Sequence, residues 1–231
     1  MLANLILKIR RRENPFYTKL YWFLKKLNNF NVPSIRWIHL PMYYTYGSII
    51  SALHWLMEHF FWVPMFKARL NRCGTGLRLH NGMPLIEGDN LVIEVGDNVQ
   101  FSNNTLGGKT VFESPRLVIG SGSRLGHESN ISVAKEVIIG ENTGTGSFTY
   151  IADNNGHPID PDRRMDTLRE DEVAPVRIGN NVLICYAAVI LKGTTIGDNS
   201  IVAANTVVSG LNVPPNSLVY GSPPKIRPLK W

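Results

Sequence analysis

Between Ile178 and Val208 the apolar residues recur every six positions, at Ile178, Ile184, Ile190, Ile196, Val202 and Val208. Neither a helix of about 3.6 residues per turn nor a strand of period 2 leaves that spacing. The residues that follow are Gly179, Cys185, Leu191, Gly197, Ala203 and Ser209, mostly small. Four positions after the apolar residue stand Val182, Ala188, Thr194, Ser200 and Thr206, compact enough for a turn. A six-residue repeat of this kind predicts a parallel β-helix, in which each repeat is a short strand plus a corner and three repeats close one triangular coil. A single repeat cannot bury its aliphatic residue, but stacked coils lay one aliphatic on the next.

The period extends backwards. Ile119, Leu125 and Ile131 keep it and, after a two-residue shift, so do Ile139, Thr145 and Ile151, each followed by Gly, Ser or Ala. From Arg69 to Leu117 the repeat is ragged, with Val95 and Phe101 in phase, and the first coils are expected there. Gly107-Gly108-Lys109 reads as a turn, because no helix-starting pattern follows it as a phosphate-binding loop requires. The pattern stops from about 153 to 175, a polar segment rich in charge and proline. A long insertion in a compact repeat is usually a functional or a disordered loop.

The net charge of +6 conceals an asymmetry. Residues 1–72 hold eleven Lys/Arg against only Glu13 and Glu58, and 15 of the 22 aromatic residues, whereas residues 73–231 hold thirteen basic and sixteen acidic residues. Two regions are expected: a helical, basic and aromatic-rich region at 1–72 and a β-helix domain at 73–231. Phe16, Leu20, Phe23, Leu24, Leu27 and Phe30 share one helical face opposite Thr18, Lys25, Lys26 and Asn29, and Asn31-Val32-Pro33 ends that helix. Met42–Met65 is apolar over 24 residues without Lys or Arg, long enough to raise a membrane span. Ser51, His54 and Glu58 mark a polar stripe on it, opposite Ile49, Leu53, Leu56 and Phe60. The preferred reading is therefore helices lying on an anionic membrane face, anchored by Trp22, Trp37, Trp55 and Trp62. A helical cap on the β-helix or on a neighbouring subunit is the competing one. Cys73 and Cys185 make no disulfide framework, and no cleavable leader is evident, so a cytoplasmic location on the inner face of the membrane is expected.

The run from Ile178 to Val208, followed by VPPNSLVYGSPPKIR, resembles the C-terminal coils of the left-handed β-helix hexapeptide-repeat acyltransferases. GHPIDPDRR at 156–164 resembles the catalytic loop of their galactoside and maltose acetyltransferase branch, to which polysaccharide O-acetyltransferases are related. The resemblance implies a mainly β, left-handed parallel β-helix and a homotrimer with sites between subunits. It also implies an acetyl-CoA-dependent O-acetyltransferase acting on a saccharide. Transfer from a thioester to a hydroxyl needs a base, and His157 matches the family's loop histidine. Ala203, Ala204 and Ser209 match small positions along the pantetheine arm of acetyl-CoA, and Lys225 and Arg227 a basic pair near the nucleotide phosphates. Asp153, Asp160 and Asp162 are candidate orienters or acceptor ligands, and Arg163 and Arg164 candidate loop-closing cations. Asn130, near His127 and Glu128, is the best chemical match to an acceptor-binding Asn. Leu183 stands where the sugar acetyltransferases usually carry Trp, with Tyr186 close by, which points to a different acceptor.

Other classes fit less well. A metal enzyme on this fold needs converging histidines, and His80, His127 and His157 show no pair at coil spacing, so no metal is expected. A plain scaffold needs neither a histidine loop nor a basic ending. Nucleic acid is not expected, because the positive charge is interleaved with long apolar runs. An enzyme for a soluble acceptor, such as an antibiotic or a nucleotide-sugar amine, is the runner-up.

Overall fold

The computed structural model describes residues 2–230, which divide into one compact unit up to Ser51 and a second from Ala52. The first unit is helical. Helix α1 is Leu2–Arg11 and α2 is Pro15–Asn28; α3, Arg36–Met57, supplies the rest of this unit and runs on into the second. Asn14 caps α2, its side-chain oxygen accepting from the Tyr17 N–H at 2.8 Å, with Pro15 at the first helical position where a missing N–H costs nothing. None of the three helices buries a residue, and Leu2, Phe16, Trp22, Phe23, Leu27 and Trp37 are all exposed. Among the described residues, the run at 42–65 included, no helix is long and apolar enough to cross a membrane.

The second unit begins with helix. A π-helical turn, Glu58–Trp62, follows α3 and leads into α4, Val63–Arg69. Here the expected boundary at residue 72 moves, for a physical reason. Phe66 is 1% exposed and meets Phe101 edge to face at 5.1 Å, so α4 belongs to the β-helix core. Glu58 likewise departs from the expected polar stripe. It is buried, and its carboxylate takes the Arg78 Nε–H at 2.7 Å and the Leu79 N–H at 3.0 Å, closing a backbone donor at the first coil. Arg69 donates to the carbonyls of Gly88, Asp89 and Leu91.

From Arg72 the chain winds as a three-faced parallel β-solenoid. One face stacks seven strands from Arg72–Cys73 to Asn212–Val213, and a second stacks six from Leu85–Glu87 to Val207–Ser209. The third runs from Arg78–His80 and Gln100–Ser102 through bridges at Arg124 to Gly144–Thr145, Leu183–Ile184, Ile201–Val202 and Ser217–Tyr220. All six residues of the hexad from Ile178 to Val208 are at most 2% exposed, and strand pairing sets Ile178 beside Ile196, Ile184 beside Val202 and Ile190 beside Val208. Ile119, Leu125, Ile131, Ile139, Thr145 and Ile151 continue the same interior.

The corners explain the small residues. A Cβ on Gly120 would stand 2.6 Å from the Glu141 backbone N in the next coil. At the same corner Asn98, Asn142, Asn181, Asn199 and Asn216 hold φ between 52° and 58°, a conformation Asn tolerates better than most residues. The chain ends in a reversal, Lys225–Pro228 pairing antiparallel with Ser217–Tyr220 at the edge of the third face.

Candidate functional site

The two-residue shift in the period has a local cause. Ala134 and Lys135 widen the corner after strand Asn130–Val133, and the loop that replaces the same corner one coil later fills it. That loop leaves the stack at Ala152 and returns at Val176. It is braced along its length. The Arg163 guanidinium pairs with the Glu172 carboxylate at 3.2 Å and with Asp166 at 3.7 Å, and donates to the Thr167 carbonyl at 3.3 Å. Glu172 also accepts the Arg169 N–H at 2.7 Å, and Lys192 donates to the Glu172 carbonyl at 2.6 Å. The Arg169 N–H and the Arg163 guanidinium together hold the Glu172 carboxyl below its ordinary pKa, against the opposing effect of desolvation. Leu168 and Val173 are the loop's own buried apolar residues.

His157 stands exposed on this loop, and within the chain its ring makes no hydrogen bond among the described residues. It lines an open hollow of about 450 Å³ with Asn155, Pro158, Ile159, Arg164 and Met165. Ile159 and Met165 are 73% and 95% exposed there, an apolar rim beside an imidazole that can accept or deliver a proton.

The three acidic candidates separate. Asp153 is 0% exposed and its carboxylate accepts from the backbone N–H groups of Ala134, Lys135 and Glu136 at 2.6 to 2.7 Å and from the Asn154 side chain at 2.9 Å, which engages it within the fold instead of with an acceptor. Asp160 is exposed and accepts the Asp162 N–H at 3.0 Å, capping the short turn Pro161–Arg163. Asp162 is exposed. Arg163 is a brace, whereas Arg164 faces the hollow.

The other candidates distribute along the stack. Ser209 ends its strand on the same edge of the second face from which the His157 loop departs, two rungs on. Ala203 and Ala204 lie at the opposite corner of that face, Ala204 exposed and Ala203 half-buried. Lys225 and Arg227 are exposed on the reversed last strand, the Arg227 guanidinium 5.9 Å from the Tyr220 ring centre. Asn130 is exposed at the start of its strand, level with Tyr150 and Thr105, and therefore at the far edge from the loop. Near it His127, Phe148 and Tyr186 form an edge-to-face aromatic series at 6.3 and 5.6 Å, with the His127 Nε2 3.3 Å from Glu128. Leu183 is half-exposed on the third face. One chain thus brings together His157, Arg164 and the loop, and leaves Asn130, Ala203, Ala204, Lys225 and Arg227 apart from them. Asn154, buried between Asp153 and the loop, is the participant that the sequence did not disclose; its partner Ser132 lies a full coil away. Among the described residues no three His, Cys, Asp or Glu side chains come together as a metal would need.

Residues 175–210 match the bacterial transferase hexapeptide family (six repeats). The chain is 39% identical over 71 residues to the galactoside O-acetyltransferase of Escherichia coli, covering 31% of this chain and 34% of that protein. It is 32% identical over 103 residues to an Escherichia coli protein named for lipopolysaccharide biosynthesis O-acetyl transfer, covering 42% of this chain and 52% of that one. The chain therefore spans about a third to a half of these relatives' lengths. In fold it is similar to AntD, an N-acyltransferase from Bacillus cereus solved with dTDP and 3-hydroxybutyryl-CoA. That match has a TM-score of 0.58 and 16% identity, over 73% of this chain and 87% of that one. With its hexads buried rung on rung and a histidine loop set into the stack, the chain carries at 175–210 the repeat of the bacterial hexapeptide transferases, a repeat that fits the left-handed β-helix, and its relatives are named acetyltransferases.

Proposed function

We propose that the protein is an acetyl-CoA-dependent O-acetyltransferase that modifies a sugar hydroxyl of a bacterial surface polysaccharide or its lipid-linked precursor. The observation that carries this reading is His157, an unengaged imidazole on a braced loop that interrupts an otherwise regular acyltransferase stack. In the proposed step the acceptor oxygen attacks the thioester carbonyl carbon while His157 takes the hydroxyl proton. Collapse of the tetrahedral adduct breaks the carbon–sulfur bond, and the departing sulfur receives that proton from His157. Ala203, Ala204, Ser209, Lys225 and Arg227 remain proposed contacts of the donor, and Asn130 and Asp160 of the acceptor. Their dispersal over one chain agrees with sites completed between the subunits of a homotrimer.

Three features support a surface-polysaccharide acceptor: relatives named for galactoside and lipopolysaccharide acetylation, Leu183 at a position usually held by Trp, and basic, apolar helices that suit the inner membrane face. The test is thiol release from acetyl-CoA by wild type and His157→Ala across polysaccharide fragments, simple glycosides and a nucleotide-sugar amine. Acetylation of a saccharide, with a loss of about a hundredfold or more in the variant, is the expected result for removal of a general base. Turnover of the amine alone would move the assignment to a soluble acceptor, and undiminished turnover by His157→Ala would remove the base.

A further inference from the structure

Asp153 and Asn154, 0% and 1% exposed, form a polar knot where the loop leaves the coil. Both Asp153 oxygens are occupied by the N–H groups of Ala134, Lys135 and Glu136, so this carboxylate is not an orienter for the His157 ring. Asn154 continues the connection. Its Nδ2 donates to Asp153 Oδ1 at 2.9 Å and to the Ser132 hydroxyl and carbonyl at 3.2 and 3.3 Å. Its Oδ1 accepts the Gly156 N–H at 2.9 Å, and Gly156, at φ +78°, directly precedes His157.

We propose that Asn154 is a positioning residue for His157, transmitting the rigidity of the coil through its amide to the Gly156 N–H and so fixing where the imidazole stands. The proposal rests on His157 as the base. Burying an amide beside a carboxylate is unfavourable unless every polar atom is matched, and here the matching is complete on the coil side. The one Asn154 bond directed outward goes to the residue before His157. Later coils turn this same corner without any such pair, through Lys192-Gly193 and Gly210, so the stack itself has no need of it. A general base works only within hydrogen-bond reach of the acceptor proton, and that reach is what an anchored loop root secures.

The test compares Asn154→Ser, Gly156→Ala and His157→Ala with wild type in the full chain. Gly156→Ala serves as the variant that folds, since nothing lies within 4 Å of an added Cβ and only the left-handed backbone is strained. The first readout is carbon-13 relaxation of the histidine Cε1–H groups, with the His157 signal identified by its loss in His157→Ala. The second is acetyl transfer from acetyl-CoA to methyl β-galactoside. In both loop variants the His157 ring is expected to lose order. The turnover number should fall about 10- to 100-fold, with the acetyl-CoA KM and the midpoint of the pH–rate profile within about twofold of wild type, as for a displaced but chemically intact base. An equally ordered ring in Asn154→Ser and Gly156→Ala would overturn the proposal, and so would undiminished turnover in both. Activity retained by His157→Ala would instead defeat the assignment of the base. The relaxation measurement needs no acceptor and decides the positioning role on its own.

Discussion

Glu58 shows how one side chain can close a solenoid end and make it acid-sensitive. Desolvation alone would raise its carboxyl pKa, but the Arg78 hydrogen bond, the Leu79 N–H and the Arg78 charge together outweigh it, and the group lies below its ordinary value. A carboxyl depressed in the folded state contributes stability above its unfolded pKa and loses it as pH falls through the folded one. Acidification from about pH 5 to about pH 3 should therefore lower the thermal midpoint of wild type more than that of Glu58→Gln, which should start lower at pH 7. Parallel melting curves for the two proteins across that range would remove the assignment. Glu58 reads in the sequence as part of a solvent stripe, because spacing alone records that a helix face is polar and not what covers it. Asp153 reads in the sequence as an orienter or acceptor ligand, and Asn154 is not singled out, for a related reason. The backbone partners of Asp153 and the Ser132 partner of Asn154 sit about one coil earlier, where no local pattern links them, whereas His157 announces itself by chemistry and by its place in a broken repeat.

At the scale of elements, strands and loop were legible and the helical join was not. Aliphatics every six residues have few ways to be buried, so the faces, their interior and the interruption at 153–175 follow from periodicity. An apolar helix, by contrast, looks the same whether it meets lipid, another subunit or a coil. Phe66 on Phe101 and the Arg69 bonds to the Gly88, Asp89 and Leu91 carbonyls distinguish α4, and they do so at the coils least regular in sequence. Phe66→Ala should cost about 3–5 kcal/mol in denaturant unfolding, the range for deleting a buried aromatic. The turnover number should stay near that of wild type, since the His157 loop springs from coils farther along the stack. A loss below about 1 kcal/mol would mean that α4 rests on the coils without plugging them.

For the whole molecule, the charge asymmetry is the property that acts at a distance. The helical unit presents cations and aromatics together, Lys25 lying 5.0 Å from the Trp22 ring centre and Arg12 5.5 Å from that of Tyr21. The full-length protein is expected to sediment with vesicles containing phosphatidylglycerol and far less with phosphatidylcholine alone. Replacing Lys19, Lys25 and Lys26 by Glu should weaken that binding by about a hundredfold or more, at about 1 kcal/mol for each lysine lost. Equal binding to both vesicle types would point the helices towards protein instead.

Parallel strands stacked by backbone pairing have no inherent number, since each new rung offers the next the edge it used itself. In this chain the growing end meets Lys225–Pro228 running backwards, and the starting end meets a carboxylate and a phenyl ring. These groups behave as chain terminators do in a polymerisation: on the third face the reversed strand takes the edge that a further parallel rung would use, and at the other end the carboxylate takes a backbone donor of the first coil.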